Sequence, residues 1–409
     1  MRNSNCIYWL IGTAFLLGAT QAEHDYHTEA VQIHKDIFTI DTHIDTPMLM
    51  INKGWNIAEE HSPEDGVRSR VDLPRMQKGG LDAAFFAVFV GQRERTRDNY
   101  EFVQAEAARM IEAVNYMCNA NPSLIRLATT PEQALSNRQN KLLTAFMGME
   151  NGFPIARDIS NIKKYYDMGI RYITLCHTKN NDICDSSNDE PEHNGLSEFG
   201  RNVVKKMNEL GMIIDVSHIS DKAFFDVIET STAPVIASHS SARVVCDNPR
   251  NMTDTMLLKL KENGGVIQMC ILSAYVKTPP KNPKRDDELA ALEKKYGTWA
   301  EIDDPSVRDK YAAEWYAIEA KYPQDLATVK DFVDHIDHAV NLIGIDYVGI
   351  GTDFDGGGGL RDCQDASQLP NITAELLRRG YGKDDLVRIW GGNFMRVFKQ
   401  VIEKAKQTN

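Results

Sequence analysis

The segment Asp41-Thr42-His43-Ile44-Asp45 closes a short apolar run that begins at Ile37. The run has the composition of a β-strand, and side chains two residues apart on a strand point to the same face. His43 and Asp45 can therefore meet at one metal ion, because imidazole and carboxylate groups are both good zinc ligands. A single His-x-Asp sequence often occurs by chance, so its meaning depends on the rest of the chain.

Short apolar runs recur along the chain and alternate with longer segments that are compatible with helices. This alternation predicts an α/β protein with a parallel sheet, and eight such units predict a closed (β/α)8 TIM barrel. An open, doubly wound sheet is the alternative, but no glycine-rich dinucleotide motif follows the first run. The predicted strands are Ile37–Asp45, Leu81–Val90, Leu142–Glu150, Ile170–His177, Met212–His218, Ala233–His239, Gly264–Cys270 and Tyr347–Asp353.

One segment interrupts this alternation of strands and helices after the seventh predicted strand. Residues 277–323 begin with several prolines and continue with charged helical patterns, which predicts a helical insertion. In a barrel it would lie on the face that carries the chemistry. A lid, a subunit contact and a merely solvated insertion all remain open.

Residues that can bind a metal or move a proton stand at the ends of six predicted strands. The carboxyl ends of barrel strands meet at one face, where the barrel enzymes place their active sites. Each residue alone has an ordinary structural explanation, but the set as a whole predicts a site. Its members are His43, Asp45, Glu150, His177, His218, His239 and Asp353.

The residue types of this set suit a pair of metal ions. One ion would be bound by His43 and Asp45, and the other by His218 and His239. Glu150 could bridge them, because a carboxylate has two oxygens. Such a pair would lower the pKa of a water molecule and make it a nucleophile near neutral pH.

The remaining polar residues suit the other steps of a hydrolysis. Asp353 could accept a proton and pass it to a leaving amine, and His177 could stabilise an oxyanion. An arginine in the loop after the sixth predicted strand could bind a substrate carboxylate through two parallel hydrogen bonds. Arg250 and Arg243 are both candidates for this role.

The N-terminus has the pattern of a secretory signal peptide. Arg2 is followed by a mostly apolar stretch, Ile7–Leu17, and by small residues that suit cleavage after Ala22. An uncleaved membrane anchor is the alternative, although the stretch is short for a membrane span. We therefore expect a signal peptide over residues 1–22, a single hydrolase barrel over 23–409, and a secreted or periplasmic protein.

Charge and cysteine content exclude some classes of partner and fold. The net charge is −12, which argues against nucleic acid or an anionic membrane as the main partner. The polar C-terminus carries no lipid-anchor signal. The cysteines are too sparse for a disulfide scaffold, and Cys176 and Cys270 lie in apolar runs that predict buried thiols.

From about Ile37 onward the chain resembles the membrane dipeptidase (renal dipeptidase) family of the amidohydrolase superfamily. The resemblance is carried by Asp41-Thr42-His43-Ile44-Asp45-Thr46-Pro47, Gly148-Met149-Glu150-Asn151-Gly152, Tyr172-Ile173-Thr174-Leu175-Cys176-His177, Ile214-Asp215-Val216-Ser217-His218, Ser238-His239-Ser240-Ser241, Gly351-Thr352-Asp353-Phe354-Asp355-Gly356 and Gly391-Gly392-Asn393-Phe394.

The resemblance implies a binuclear zinc (β/α)8 hydrolase that cleaves dipeptides, including some with a C-terminal D-residue. It implies that Glu150 binds both Zn²⁺ ions, and that His177 and Asp353 are catalytic. It further implies that His177 and Arg250 bind substrate, with Arg250 preferred to Arg243 as the carboxylate ligand. The two zinc ions would be bound by His43, Asp45 and Glu150, and by Glu150, His218 and His239.

The chain departs from the family pattern at residues beside the ligands. Thr42, Ile44 and Thr46 replace the usual residues of the first motif. The sequence Glu150-Asn151-Gly152-Phe153 stands where the family has Glu-Gly-Gly, often followed by His. No ligand is lost, but the pocket and its side-chain preference could differ.

The leading hypothesis is a zinc dipeptidase, which the family resemblance suggests is a homodimer. The alternative is an enzyme that hydrolyses N-acyl amino acids or other small amides at the same site. A barrel that binds dipeptides without cleaving them is a third class, which the intact set of ligands and acid–base groups disfavours.

Overall fold

The structure is a computed structural model that describes residues 24–52, 54–62, 69–302 and 304–408. The predicted signal peptide lies outside the described residues. Among the helices that the structure does describe, none is both long enough and apolar enough to cross a membrane.

The strands form one parallel sheet in the order β1-β2-β4-β5-β6-β7-β8-β9. These eight strands correspond to the eight predicted ones, and the prediction of a (β/α)8 barrel is confirmed. Their bounds, with those of a ninth short strand, are β1 Ile40–Ile44, β2 Ala83–Phe89, β3 Ile125–Leu127, β4 Leu143–Glu150, β5 Ile170–Thr174, β6 Ile213–Asp215, β7 Ile236–Ser240, β8 Val266–Met269 and β9 Val348–Ile350.

The ninth strand, β3, lies outside the barrel order and pairs with the first half of β4. Its register runs from Ile125 opposite Leu143 to Leu127 opposite Ala145, whereas β5 joins β4 only from Met147 onward. The strand β3 therefore occupies the part of that edge which β5 leaves free. It is too short for hydrophobic alternation to reveal it in the sequence.

The barrel is nearly closed by backbone contacts between the first and last strands. The Asp45 amide donates to the Phe354 carbonyl at 2.8 Å, and the Asp353 amide donates to the His43 carbonyl at 3.0 Å. Both bonds lie at the carboxyl ends of β1 and β9. They bring Asp45 and Asp353, which are far apart in sequence, to the same side of the barrel mouth.

Helices connect the strands and surround the barrel. Several crossover helices follow a serine or threonine whose hydroxyl accepts from a backbone amide of the first turn, among them Thr96, Ser197, Ser220, Thr253 and Thr328. The helices are α1 Tyr26–Asp36, α2 Pro47–Met50, α3 Leu73–Gly79, α4 Arg97–Ala120, α5 Pro131–Gln139, α6 Ser160–Asp167, α7 Glu198–Leu210, α8 Asp221–Thr230, α9 Asp254–Asn263, α10 Ser273–Val276, α11 Pro283–Tyr296, α12 Pro305–Lys321, α13 Val329–Ile343, α14 Pro370–Arg378, α15 Lys383–Val387 and α16 Asn393–Thr408.

The predicted insertion after the seventh barrel strand is a pair of helices, α11 and α12. The pair has a small apolar cluster of its own, made of Leu292, Ile302, Tyr311 and Ile318. Arg308 of α12 lies 3.7 Å from the carboxylate of Glu106 in α4. The insertion thus packs largely on itself and contacts the helix that follows β2.

The barrel interior is filled by aromatic rings and sealed by the last helix. Phe85 stacks on Phe146 at a centroid distance of 4.8 Å and on Tyr172 at 5.0 Å. Phe394 and Phe398 of α16 pack edge-on against Phe85 and Phe146. This cluster also contains the first residues of five strands, so α16 closes the amino end of the barrel: Ile40, Ala83, Ile213, Ile236 and Val266.

The six described cysteines are all buried and form no disulfide with one another. Cys176 and Cys270 are among them, as their apolar surroundings in the sequence predict. Among the described residues, disulfides therefore do not contribute to stability.

The aromatic seal gives a direct test of this packing. Phe398→Ala should lower the free energy of unfolding by about 3–5 kcal/mol, because it leaves a cavity among the rings of the barrel core. Denaturant titration followed by circular dichroism measures the change. Lys399→Ala, on the exposed side of the same helix, is the control and should have little effect. A loss below about 1 kcal/mol for Phe398→Ala would show that α16 does not seal the core.

Candidate metal centre

All seven chemistry-bearing residues predicted from the sequence come together at the carboxyl end of the barrel. His43, Glu150 and His239 lie within β1, β4 and β7. The other four, Asp45, His177, His218 and Asp353, lie in the loops that directly follow strands. The seven side chains meet because parallel strands of a barrel all end on one face.

Glu150 is the centre of this arrangement. Its Oε2 lies 3.4 Å from His43 Nε2, and its Oε1 lies 3.0 Å from His218 Nε2 and 3.4 Å from His239 Nε2. Asp45 Oδ2 is 3.5 Å from His43 Nε2. The Oε2 atom of this carboxylate thus faces His43, whereas its Oε1 atom faces both His218 and His239.

Three overlapping groups of these residues bring nitrogen and oxygen atoms within 4.8 Å of one another. Atoms this close can share one cation with only small adjustments. Two of the groups match the two ligand sets expected from the family resemblance. The groups are His43, Asp45 and Glu150; Glu150, His218 and His239; and His43, His239 and Asp353.

Several polar atoms of this cluster are fully buried and lack a hydrogen-bond partner among the described residues. They include His43 Nε2, Asp45 Oδ1 and His218 Nδ1. A buried polar atom without a partner is costly, and a bound cation is one way to satisfy it. The nitrogen and carboxylate donors therefore fit divalent metal ions.

Burial and neighbouring charges shift the pKa values of the cluster in opposite directions. Burial alone would raise the pKa of Glu150, but the imidazoles around it hold that pKa well below its usual range. Burial lowers the pKa of His239 to about 3 and the pKa of His218 well below its usual value. For His43, the nearby Tyr172 and carboxylates overcome burial and raise the pKa. The shifts therefore favour the deprotonated forms of Glu150, His218 and His239, and metal ligands must be deprotonated.

Asp353 and Asp45 differ from Glu150, because the pKa of each is raised rather than lowered. Burial, with the negative charge of Asp45 beside it, raises the pKa of Asp353 well above its usual value. A Cβ added at Gly356 would lie 2.0 Å from Asp45 Oδ2 and 2.4 Å from Asp353 Oδ1. Only glycine leaves room for both carboxylates at this position.

Two site residues have backbone conformations that are rare for side chains other than glycine. The φ angle is +71° at His218 and +61° at Asp353. Such strain persists where the surrounding structure enforces it, often at functional sites. Here it turns each side chain back over the barrel mouth immediately after a strand.

His177 is the most exposed histidine of the cluster. Its side chain is 22% exposed, and its Nε2 lies 3.8 Å from Glu150 Oε1. Phe89 packs edge-on against its ring. His177 is thus at the rim of the site, where a ligand entering from solvent would meet it.

The two candidate arginines have different surroundings. Arg243 makes a bidentate ion pair with Asp221, in which Nη2 donates to Oδ1 at 2.6 Å and Nη1 donates to Oδ2 at 2.8 Å. Arg250 is 3% exposed and donates to the His239 carbonyl at 3.0 Å, while its Nε has no partner among the described residues. Its guanidinium lies over the Tyr275 ring. Of these two arginines, Arg243 is paired with a carboxylate, whereas Arg250 retains a buried Nε without a partner among the described residues.

The unusual residues of the motifs have structural roles. Asn151, with φ +73°, donates through its side-chain amide to the Val90 carbonyl and accepts from the Phe153 amide, which fixes the turn after Glu150. Thr46 donates to Asp355 at 2.7 Å. These departures stabilise loops of the site and remove no ligand.

The sequence reasoning missed three residues that hydrogen-bond the site histidines directly or through one intermediate. Tyr172 lies 2.7 Å from His43 Nδ1, and Ser238 lies 2.8 Å from His239 Nδ1 and donates to Asp215. Strand alternation could have placed them facing inward, since Tyr172 and Ser238 lie within strands. Nothing in the sequence indicates which histidine each would contact.

Comparison with known proteins identifies the family. The sequence pattern of the family "Membrane dipeptidase (Peptidase family M19)" matches residues 27–409. Dipeptidase aclJ of Aspergillus oryzae is 32% identical over 349 residues, which cover 84% of this chain and 72% of that protein.

Solved structures agree with this assignment. The probable dipeptidase PvdM from Pseudomonas aeruginosa superposes with a TM-score of 0.80 at 30% identity, over 93% of this chain and 99% of the other. A metallopeptidase from Rhodobacter sphaeroides, solved with a phosphinate mimic of the dipeptide L-Ala-D-Ala, has the same fold, with a TM-score of 0.72 at 21% identity over 89% of this chain and 99% of the other. The chain belongs to the membrane dipeptidase family of metal-dependent peptidases, peptidase family M19.

Proposed function

We propose that this protein hydrolyses dipeptides with the help of two zinc ions. The observation that carries the proposal is the convergence of histidines on both oxygens of Glu150 at the barrel mouth, next to a buried arginine whose Nε has no partner among the described residues. Membership in the membrane dipeptidase family supports the reaction.

The two ions would share Glu150. His43 and Asp45 would complete one binding position, and His218 and His239 the other. When bound, such ions lower the pKa of a water molecule and polarise the scissile carbonyl. Zinc is the ion proposed because imidazole and carboxylate donors suit it, although other divalent ions accept the same donors.

Arg250 would bind the free carboxylate of the substrate. Its guanidinium is buried against Tyr275, donates to the His239 carbonyl, and has an Nε atom without a partner among the described residues. A guanidinium can form two parallel hydrogen bonds with a carboxylate, and these bonds are strong where water is excluded. Substrate length would thus be limited by the distance between Arg250 and Glu150.

Asp353 would transfer the proton, and His177 would stabilise the developing negative charge. A carboxyl group with a raised pKa can hold a proton from the attacking water and release it to the departing amine. His177, at the rim and close to Glu150, would donate a hydrogen bond to the oxyanion of the tetrahedral intermediate.

Metal analysis and a substrate screen on one preparation test the function as a whole. About two zinc ions per chain should be found, and chelation should abolish dipeptide hydrolysis until zinc is restored. Dipeptides should be cleaved faster than the matching N-acyl amino acids. Faster cleavage of N-acyl amino acids would favour the alternative amide hydrolase, and binding without cleavage would favour a binding protein.

Arg250→Ala should raise KM for dipeptides and lower kcat/KM by roughly 100-fold, because charged hydrogen bonds to the substrate carboxylate are lost. Steady-state kinetics with a dipeptide and its C-terminal amide provides the measurement. The variant should discriminate far less between these two substrates than the unaltered protein does. Arg243→Ala is the matched control and should retain the discrimination. If Arg250→Ala also retained it, Arg250 would not bind the carboxylate.

Asp353→Asn should lower kcat by about 10²–10⁴-fold, because the amide cannot accept and transfer the proton. Measurement of kcat and of the metal content on the same sample separates this effect from metal loss. Full turnover by a variant that retains its metal would remove Asp353 from the proposed role.

We also propose that the protein is exported after removal of residues 1–22 and that it forms a homodimer. An N-terminal sequence that begins at Glu23 in protein recovered from the periplasm or medium would support the predicted signal peptide. Sedimentation would test the proposed homodimer.

A further inference from the structure

We infer that Tyr172 and the pair Ser238–Asp215 are positioning residues, each of which fixes one site histidine with its proton on Nδ1 and its Nε2 lone pair facing the metal centre. This inference rests on the proposed function, because it assigns these residues a role in metal binding. Neither Tyr172 nor Ser238 contacts substrate or metal in this scheme; each acts through a histidine.

The hydrogen bonds of Tyr172 determine which nitrogen of His43 carries the proton. The Tyr172 hydroxyl lies 3.2 Å from the Thr42 carbonyl, which can only accept a hydrogen bond. The single hydroxyl proton is therefore directed to Thr42. In the 2.7 Å hydrogen bond between His43 Nδ1 and the Tyr172 hydroxyl, the imidazole must then be the donor. Nε2, which faces Asp45 and Glu150, is left as the ligand atom.

The same reasoning applies to His239 on the other side of Glu150. Ser238 donates its hydroxyl proton to Asp215 Oδ2 at 2.6 Å. In the 2.8 Å hydrogen bond between His239 Nδ1 and the Ser238 hydroxyl, the imidazole is therefore the donor. Asp215 also accepts from the Thr174 hydroxyl and from the backbone amides of Ser217 and Ser238. With this many donors around it, Asp215 is a fixed acceptor.

The two hydrogen-bond chains serve different metal positions. Tyr172 holds His43, which belongs to the group with Asp45, whereas Ser238 holds His239, which belongs to the group with His218. Hydrogen-bond partners behind metal-bound histidines commonly affect metal affinity by 10–100-fold. Loss of either chain should therefore weaken one metal position more than the other.

The ring of Tyr172 is held separately from its hydroxyl. It stacks on Phe85, and a Cβ at residue 148 would lie 2.1 Å from its Cζ, so Gly148 provides the space it occupies. Tyr172→Phe should therefore keep the packing and remove only the hydrogen bond. The substitution separates positioning of His43 from stability of the barrel.

Zinc titration by competition with a chromogenic chelator tests the inference. Tyr172→Phe and Ser238→Ala should each lower the affinity for one of the two zinc ions by about 10–100-fold, and the double variant should lower both affinities.

Two control variants should leave both zinc affinities unchanged. Tyr165→Phe removes a buried hydroxyl near the Pro154 carbonyl, and Ser241→Ala removes one that contacts the Cys270 carbonyl. Unchanged affinities in Tyr172→Phe and Ser238→Ala would overturn the inference.

NMR of the zinc-loaded, ¹⁵N-labelled protein shows which ring nitrogen of each histidine carries a proton. A purely structural role of Tyr172 or Ser238 would leave this protonation pattern unchanged. The Nδ1 protons of His43 and His239 should both be protected from exchange with water. Tyr172→Phe should remove the protection from one, and Ser238→Ala from the other. Protons on Nε2 of His43 or His239 would overturn the inference. A protein that binds zinc as inferred but cleaves no dipeptide would contradict only the proposed function.

Discussion

The buried carboxylate of Glu150 is the interaction on which the site depends. An isolated carboxylate is expensive to bury, and the histidines that face its two oxygens offset part of this cost. Those histidines come from β1, β7 and the loop after β6, so the charge is stabilised only when the barrel has assembled. The site is therefore formed only in the folded barrel.

The layers below and around this carboxylate explain how it is positioned. Aromatic rings fill the barrel from α16 up to Tyr172, whose hydroxyl contacts His43. The backbone bonds between β1 and β9 bring Asp45 and Asp353 to the same edge. A rigid core thus holds a set of polar groups whose mutual repulsion would otherwise separate them, and the proposed cations would balance that repulsion.

Much of this arrangement could be predicted from the sequence, because strand-end residues of a barrel must meet on one face. The eight barrel strands and the helical insertion follow from hydrophobic patterning, and the seven clustered residues follow from their positions at strand ends. Patterning could not reveal β3, which is three residues long. It also could not choose between Arg250 and Arg243, because only the three-dimensional structure places Asp221 beside Arg243. The partners of the histidines are likewise set by contacts between distant strands.

The most direct test of the two-ion centre is an anomalous-difference map from crystals of the zinc-loaded protein. Two peaks are expected, one near His43 and Asp45 and one near His218 and His239, with both about 2.0–2.2 Å from oxygens of Glu150. A single peak, or two peaks of which only one contacts Glu150, would contradict the shared carboxylate.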